Sequence, residues 1–148
     1  MNVEEIIKTS KKIPLESRTL IHITLVHNMI YEMAGNALKP FEVSMQQFNV
    51  LRILRGQKGK PANLSTLNER MVTKMSNTTR LVDKLLAKGY VDRSVCPSNR
   101  RKVEIVITEK GSEALAKMDK VVAETENNIV RNFSLKELEN LNQLLDKF

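Results

Sequence analysis

Near Gly89 the hydrophobic pattern of the chain changes from a helical period to short runs of β-forming residues. Before Gly89, core-type residues recur every three or four positions, at Met75, Thr78, Val82 and Leu85. This spacing predicts an amphipathic helix over about 74–88 that ends at Gly89 as a C′ glycine. After it, residues 90–95 and 102–107 are predicted to be strands, joined by a polar hairpin loop at 96–101.

The segments before this helix are also predicted to be helical. Ser44 and Gln47 have the spacing of a capping box, which predicts the start of a helix that ends at Gly56. A short helix follows, and its N-cap is expected to be Asn63 or Ser65.

The order of these elements favours one architecture. A short helix that turns into a longer one is the helix-turn-helix arrangement, whose second helix enters the major groove of DNA. A β-hairpin directly after that helix forms a wing. The sequence therefore predicts a single chain, 1–148, that is mainly α-helical with a small β-hairpin and holds a winged helix-turn-helix at 44–108.

The two ends of the chain are predicted to be helical and rich in apolar residues. Residues 14–40 have the pattern of one long helix whose apolar residues cover more than one stripe of its surface. Residues 109–148 have the pattern of two more helices, one capped by Thr108 and one opened by a capping box of Ser134 and Glu137. A helix apolar around most of its circumference is buried on more than one side, so we expect another subunit to cover it.

The positive charge of the chain is concentrated in its middle. The net charge is +7, yet residues 49–110 hold 14 Lys and Arg against 5 Asp and Glu, a net of +9. The remainder holds 10 Lys and Arg against 12 Asp and Glu, a net of −2. Such asymmetry indicates a central module that binds a polyanion, with nucleic acid as the first candidate and an anionic membrane surface as the second.

One face of the 74–88 helix carries side chains suited to DNA. Helical spacing places five polar residues opposite the core side: Lys74, Ser76, Asn77, Arg80 and Lys84. Arg80 can donate to both O6 and N7 of guanine, and Asn77 can pair with an adenine edge. Thr73 and the free N–H groups of the helix start can hold a phosphate. The alternative is an ordinary solvated helix face.

The polar loop of the hairpin is the second candidate contact. Its basic tip consists of Ser98, Asn99, Arg100, Arg101 and Lys102. A basic tip beside a groove-bound helix suits a narrow minor groove, where negative potential is concentrated. The alternative is a solvated turn, because Pro, Ser and Asn are common turn residues.

Composition argues against several other classes of protein. Aromatic residues make up 4% of the chain, too few for a stacking platform that binds single-stranded nucleic acid. No apolar run reaches the roughly 18 residues of a membrane span, and the start of the chain lacks the pattern of a secretory signal. We find no phosphate-binding glycine loop, no nucleophile–base arrangement and no paired carboxylates, so neither an enzyme nor a cofactor is expected.

The histidines and the single cysteine are expected to be ordinary residues. His22 and His27 are five positions apart on one helix, a rotation of about 140° beyond a full turn, so they do not share a metal ligand set. Cys96 cannot form an internal disulfide, which fits a reducing, cytoplasmic setting. A redox-sensing role for Cys96 is the weaker alternative to an incidental strand thiol.

Several stretches of the sequence resemble the MarR family (multiple antibiotic resistance regulators). They are SMQQF at 44–48, TRLVDKL at 79–85, KGYVDR at 88–93, NRRK at 99–102 and TEKG at 108–111. The resemblance implies a winged-helix transcriptional regulator, a repressor, that binds double-stranded DNA as a homodimer. It also implies that the helices at 14–40 and 109–148 form the dimerisation region.

Two-fold symmetry then predicts a pseudo-palindromic operator, with recognition helices about 34–36 Å apart. Similarity to the family also implies a small lipophilic or phenolic effector between the dimerisation helices and the winged helix. His27, Met29, Tyr31 and Met33 are possible lining residues, although none is assigned as a ligand contact.

One position departs from the family pattern. Where the family usually has Asp before the wing arginine pair, this chain has Asn99. The family's Asp commonly forms an ion pair with a wing arginine, and Asn supplies no charge. We therefore expect a looser wing or a different brace.

A second function remains open from the sequence alone. The winged helix can serve protein contact, with its basic face meeting an acidic partner. A membrane-surface role is less consistent with the sequence, because the side of the helix with Lys74, Arg80 and Lys84 shows no apolar residues.

Overall fold

The computed structural model describes residues 1–72, 77–96 and 99–148. Over these ranges the chain forms seven α-helices, a short 3₁₀ turn at Lys39–Phe41 and one antiparallel hairpin. The helices are α1 (Val3–Ile6), α2 (Leu15–Leu38), α3 (Met45–Gly56), α4 (Leu64–Arg70), α5 (Thr78–Ala87), α6 (Glu109–Val130) and α7 (Leu135–Leu145), and the strands are β1 (Val91–Cys96) and β2 (Asn99–Ile107). The predicted fold class, mainly helical with one hairpin, is confirmed.

The predicted helix starts at α3 and α4 are confirmed by their caps. The Ser44 hydroxyl accepts a hydrogen bond from the Gln47 N–H at 3.2 Å, and the Gln47 side chain accepts one from the Ser44 N–H at 2.8 Å. At α4 the cap is Asn63 rather than Ser65, because the Asn63 side chain accepts from the Thr66 N–H at 2.8 Å. These side chains satisfy N–H groups that have no partner inside the helix.

The capping box of α7 is also present. The Glu137 carboxylate accepts a hydrogen bond from the Ser134 N–H at 2.7 Å, and the Ser134 hydroxyl accepts from the Glu137 N–H at 3.3 Å. The hydrogen bond from the Ser134 backbone lowers the pKa of Glu137 below its usual range.

Two predicted boundaries are wrong. Helix α5 begins at Thr78 and not near Lys74, because Asn77 has the non-helical backbone of an N-cap, with φ −129° and ψ 39°. The strand boundaries also differ: β1 is shifted by one residue to Val91–Cys96, and β2 begins at Asn99 rather than at residue 102, so most of the predicted loop 96–101 has strand backbone. Backbone pairing does not need the alternating apolar pattern that marks contact with the core, so it extends beyond that pattern.

The end of α5 has the predicted glycine. Gly89 has a φ of +68°, which a residue with a Cβ adopts only with strain. Its N–H donates to the Leu86 carbonyl at 2.8 Å, and the Tyr90 N–H donates to the Leu85 carbonyl at 3.0 Å. This pair of bonds is a Schellman motif, which turns the chain out of α5 and into β1. Tyr90, predicted as a strand residue, therefore belongs to the helix end.

The hairpin also pairs with the segment before α4. Ala62 exchanges two backbone hydrogen bonds with Ile105 of β2, at 2.9 and 2.8 Å. Ala62 and Ile105 are both buried. The base of the hairpin is therefore held to the helix-turn-helix in two ways. Strand β2 is hydrogen-bonded to the segment before α4, and strand β1 follows α5 directly in the chain.

The hydrophobic core lies between α3, α4, α5, the hairpin base and α6. Its largest fully buried side chains include Leu38, Leu51, Leu54, Leu67, Leu85, Ile105, Leu115 and Met118. Helix α6 contributes Leu115, Met118 and Val122, so it joins the winged helix to the long helix α2 that crosses it.

The outer helices are mostly uncovered in the single chain. In α2 only Ala34 and Leu38 are buried, and α7 has no buried residue. Large apolar side chains exposed on these two helices are Leu15, Leu20, Ile23, Ile30, Tyr31, Met33, Leu135, Leu141, Leu144 and Leu145. One chain therefore leaves a broad apolar surface without a covering layer.

The start of α6 packs against the end of α5 with almost no space. A Cβ added to Gly111 would lie 2.0 Å from the Tyr90 carbonyl oxygen. Gly111→Ala must therefore push the two elements apart, and we expect it to lower the free energy of unfolding by at least about 2 kcal/mol. Urea unfolding followed by circular dichroism measures this. Gly56→Ala is the matched control, because nothing lies within 4 Å of its added Cβ. Equal stability of the two variants would contradict the close packing.

Candidate nucleic-acid interface

Helix α5 presents one buried face and one exposed polar face. Thr78, Val82 and Leu85 are buried against the core, as the spacing predicted. Arg80 and Lys84 are exposed on the helix, and Asn77 is exposed at its N-cap. In the described part of the chain neither Arg80 nor Lys84 forms an ion pair, so their charges are available to a partner.

The two helices of the helix-turn-helix are joined by a polar contact. The Thr78 hydroxyl donates to the Asn68 side-chain oxygen at 3.4 Å, which links the first turn of α5 to α4. Thr78 is buried, so this contact lies beneath the exposed face and orients it.

Four predicted contact residues, Thr73, Lys74, Ser76 and Ser98, lie outside the described residues. The remaining four wing residues lie on strand β2, while their side chains are also outside the description.

The pairing of β1 with β2 shows where the backbone of the wing residues lies. Val95 pairs with Val103, but the next residue, Cys96, pairs with Asn99. The segment 100–102 therefore lies opposite a single step of β1, and the pairing is irregular there. Arg100 and Arg101 thus belong to a bulged part of β2 rather than to the predicted loop 96–101, and Lys102, predicted as a strand residue, lies in the same part of β2.

A different ion pair links the hairpin to α5. The Arg93 guanidinium of β1 donates to the Asp83 carboxylate of α5 at 2.7 Å. This ion pair does not involve Asn99, the position at which the sequence departs from the family pattern. Both side chains are about half exposed, so the pair sets the angle of the hairpin more than it adds stability.

The C-terminal end of α5 is held from two sides. Lys88 donates to the Glu42 carboxylate at 2.9 Å, and Glu42 lies between α2 and α3. Lys110 of α6 donates to the Lys88 carbonyl at 2.8 Å, and its ammonium lies 5.6 Å from the centre of the Tyr90 ring. The hydrogen bond from Lys88 lowers the pKa of Glu42 below its usual range.

Among the described basic residues of the winged helix, some form ion pairs within the protein and others do not. Internal ion pairs use Arg55 (with Asp119), Lys88 and Arg93. Arg80 and Lys84 remain unpaired on α5 within the described ranges. The free positive charge of the described α5 therefore lies on the face opposite the core.

A cavity of about 280 Å³ opens on another side of the winged helix. Residues from α2, α3 and α6 line it, together with Met71 and Val72 at the end of α4. Of the four residues considered from the sequence, His27 and Tyr31 line the cavity, while Met29 and Met33 do not. Sequence analysis expected α3 and α6 to contribute to such a crevice but named none of their residues, since these residues are brought together only by the crossing of the helices.

Two searches of the described residues found no further site. No group of three or more His, Cys, Asp and Glu side chains is placed to hold a metal ion there. Among the helices of the described ranges, none combines the length and hydropathy that a membrane span requires.

Comparison with known proteins shows what the chain is similar to. The sequence profile of the MarR family matches residues 43–103, which run from α3 into β2. A MarR-like transcription regulator from Bacillus cereus ATCC 10987 is 26% identical, with a TM-score of 0.81 over 90% of this chain and 96% of that one. Residues 43–103 of the chain therefore match the MarR family of transcription regulators, and the fold is that of a MarR-like regulator.

Two Escherichia coli structures show the same fold. Apo wild-type MarR is 25% identical, with a TM-score of 0.71 over 93% of this chain and 98% of that one. A cysteine-to-serine mutant of MarR complexed with operator DNA is 24% identical, with a TM-score of 0.76 over 90% and 93%. The winged helix and the flanking helices of this chain therefore have the same fold as these solved structures.

The ion pair between Glu42 and Lys88 predicts a pH dependence. Because folding lowers the pKa of Glu42, its contribution is present above the usual glutamate pKa and is lost as the pH falls through the lowered value. Glu42→Gln should therefore lower the melting temperature slightly at pH 7 and leave it unchanged at pH 3, relative to wild type. Glu124→Gln, on exposed α6 surface, is the control. An equal decrease for Glu42→Gln at both pH values would contradict the assignment.

Proposed function

We propose that this protein is a dimeric MarR-family repressor that binds a pseudo-palindromic operator in double-stranded DNA. The observation that carries the proposal is the free cationic face of α5, with Arg80 and Lys84 exposed and unpaired among the described residues. This face is the recognition surface, and Asn77 at its N-cap completes the described part of it. Thr73, Lys74, Ser76 and Ser98 belong to the same proposed contact set, as do wing residues 99–102.

The hairpin supports the proposal by its position. The ion pair between Arg93 of β1 and Asp83 of α5 joins the base of the wing to the recognition helix. A helix fills the major groove, while a basic wing reaches the adjacent minor groove. The fold shared with E. coli MarR in complex with operator DNA supports the same arrangement.

The uncovered apolar surface supports the dimer. Leu15, Leu135 and Leu144 are 74%, 75% and 58% exposed in the single chain, and they lie on the two outer helices. Contiguous apolar surface of this kind marks a protein interface. Pairing of α2 and α7 with a second copy covers it and sets two recognition helices in a two-fold arrangement. Operator binding places the protein in the cytoplasm.

The cavity supports control by a small lipophilic or phenolic effector. Met71 and Val72 line the cavity, and they directly precede the proposed contact residues Thr73 and Lys74. Val72 is 92% exposed, so an occupant that covers it gains apolar contact. An effector bound there would favour a position of this segment that differs from the DNA-bound one, which releases the operator.

Selection from a library of random duplexes at several salt concentrations tests the DNA proposal. We expect the wild-type protein to enrich one pseudo-palindromic site, and Arg80→Ala to lose about 5- to 150-fold in affinity for it. Lys117→Ala removes one charge from exposed α6 surface and should keep the selected site. Weak, unselective binding that disappears at physiological salt would indicate a general polyanion surface and overturn the proposal.

The dimer has a separate test. Changing Leu141 and Leu144 together to Asp places two carboxylates in the proposed interface, where their desolvation is costly. We expect the dimerisation constant to weaken at least about 100-fold, as measured by analytical ultracentrifugation. Gln143→Asp adds a carboxylate to the same helix outside the leucine stripe and should remain dimeric. A double variant that keeps the wild-type mass would show that α7 does not form the interface.

A further inference from the structure

The cavity carries two opposite charges that the protein leaves unpaired. Arg52 of α3 and Glu126 of α6 both line it. Within the described ranges neither side chain forms an ion pair. The Arg52 guanidinium lies over the Phe48 ring, 5.5 Å from its centre, and Phe48 also lines the cavity. A stacked arginine of this kind keeps its donors free for a ligand.

The neighbouring pair on the same two helices behaves differently. Arg55, one turn after Arg52 on α3, forms an ion pair with Asp119 of α6. Glu126 lies two turns after Asp119 on α6. The two helices are therefore close enough at Arg55 to join their charges directly, whereas at Arg52 and Glu126 the cavity lies between them.

Three of the other polar side chains of the cavity take part in internal hydrogen bonds, while His27 and Asn49 also line it. The Gln46 side chain donates to the Tyr31 hydroxyl, and the Thr125 hydroxyl donates to the Val121 carbonyl at 2.8 Å. The surrounding surface is mainly apolar, with Ile30, Val122 and Ile129 among the lining residues. Arg52 and Glu126 are therefore the charged groups of this cavity that a ligand can engage.

This charge pattern differs from that of a simple anion site. A ligand with only an anionic group is attracted by Arg52 but repelled by Glu126. A ligand with only a cationic group is attracted by Glu126 but repelled by Arg52. A volume of about 280 Å³ lies just below the roughly 300–1,000 Å³ of drug-sized ligand sites, so it suits a molecule with one ring.

We propose that the cavity binds a single-ring, bipolar small molecule, with its anionic group at Arg52 and a protonated amine at Glu126. This inference rests on the proposed effector role of the cavity, and it assigns a bipolar ligand where the family resemblance implies a lipophilic or phenolic one. The ring lies against the apolar surface that includes Phe48. Each charged end of the ligand forms an ion pair with one side chain that has no such partner within the described residues.

Three matched probes test the proposal in the absence of DNA: benzoate, benzylamine and 4-(aminomethyl)benzoate. Isothermal titration calorimetry with the wild-type protein should give the bipolar probe an affinity at least about tenfold above that of either single-charge probe. With Glu126→Gln, the affinity of the bipolar probe should fall close to that of benzoate. With Arg52→Gln, the affinity of the bipolar probe should fall close to that of benzylamine. Glu124→Gln, two residues from Glu126 and outside the cavity lining, should keep the affinity of the bipolar probe above that of both single-charge probes.

Three results would overturn the inference. Benzoate binding as tightly as the bipolar probe would show a simple anion site, and affinities unchanged by Glu126→Gln and Arg52→Gln would place the ligand elsewhere. No binding of any probe up to millimolar concentration would reject the assigned ligand class. Because these titrations contain no DNA, none of the outcomes depends on operator recognition, which the duplex selection tests by itself.

Discussion

The contact between the Tyr90 carbonyl and Gly111 holds together the part of the molecule on which the rest depends. At this point the end of α5, the start of β1 and the start of α6 meet within van der Waals distance. Thr108 completes the junction, because its hydroxyl donates to the Gly89 carbonyl at 2.7 Å and accepts from the Gly111 N–H at 2.9 Å. The recognition helix, the wing and the helix that leads to the outer surface therefore share one rigid corner.

Most of this corner can be predicted from local sequence signals. A glycine after an amphipathic helix, and a threonine three residues before another glycine, are cap patterns whose physics is contained in a few residues. The same holds for the capping boxes that begin at Ser44 and Ser134. The crowding at Gly111 cannot be predicted in this way, because the atom that excludes a side chain belongs to Tyr90, which is distant in sequence.

The candidate DNA surface can be predicted from the sequence only in part. Sequence analysis finds the basic surplus of 49–110 and assigns Arg80 and Lys84 to one helix face, since both follow from counting and periodicity. It cannot tell that Arg93 is paired with Asp83, because an ion pair between a helix and a strand depends on their packing. It also began β2 too late, at residue 102, because Asn99, Arg100 and Arg101 break the apolar alternation although they have strand backbone.

The cavity and the proposed DNA surface are joined by a short stretch of chain. Met71 is buried, Val72 is exposed at the cavity, and the residues proposed to contact DNA come directly after them. Two binding sites that share a segment are coupled whenever they favour different positions of it, and the coupling acts equally in both directions. An effector that weakens operator binding must therefore bind less tightly to the DNA-bound protein.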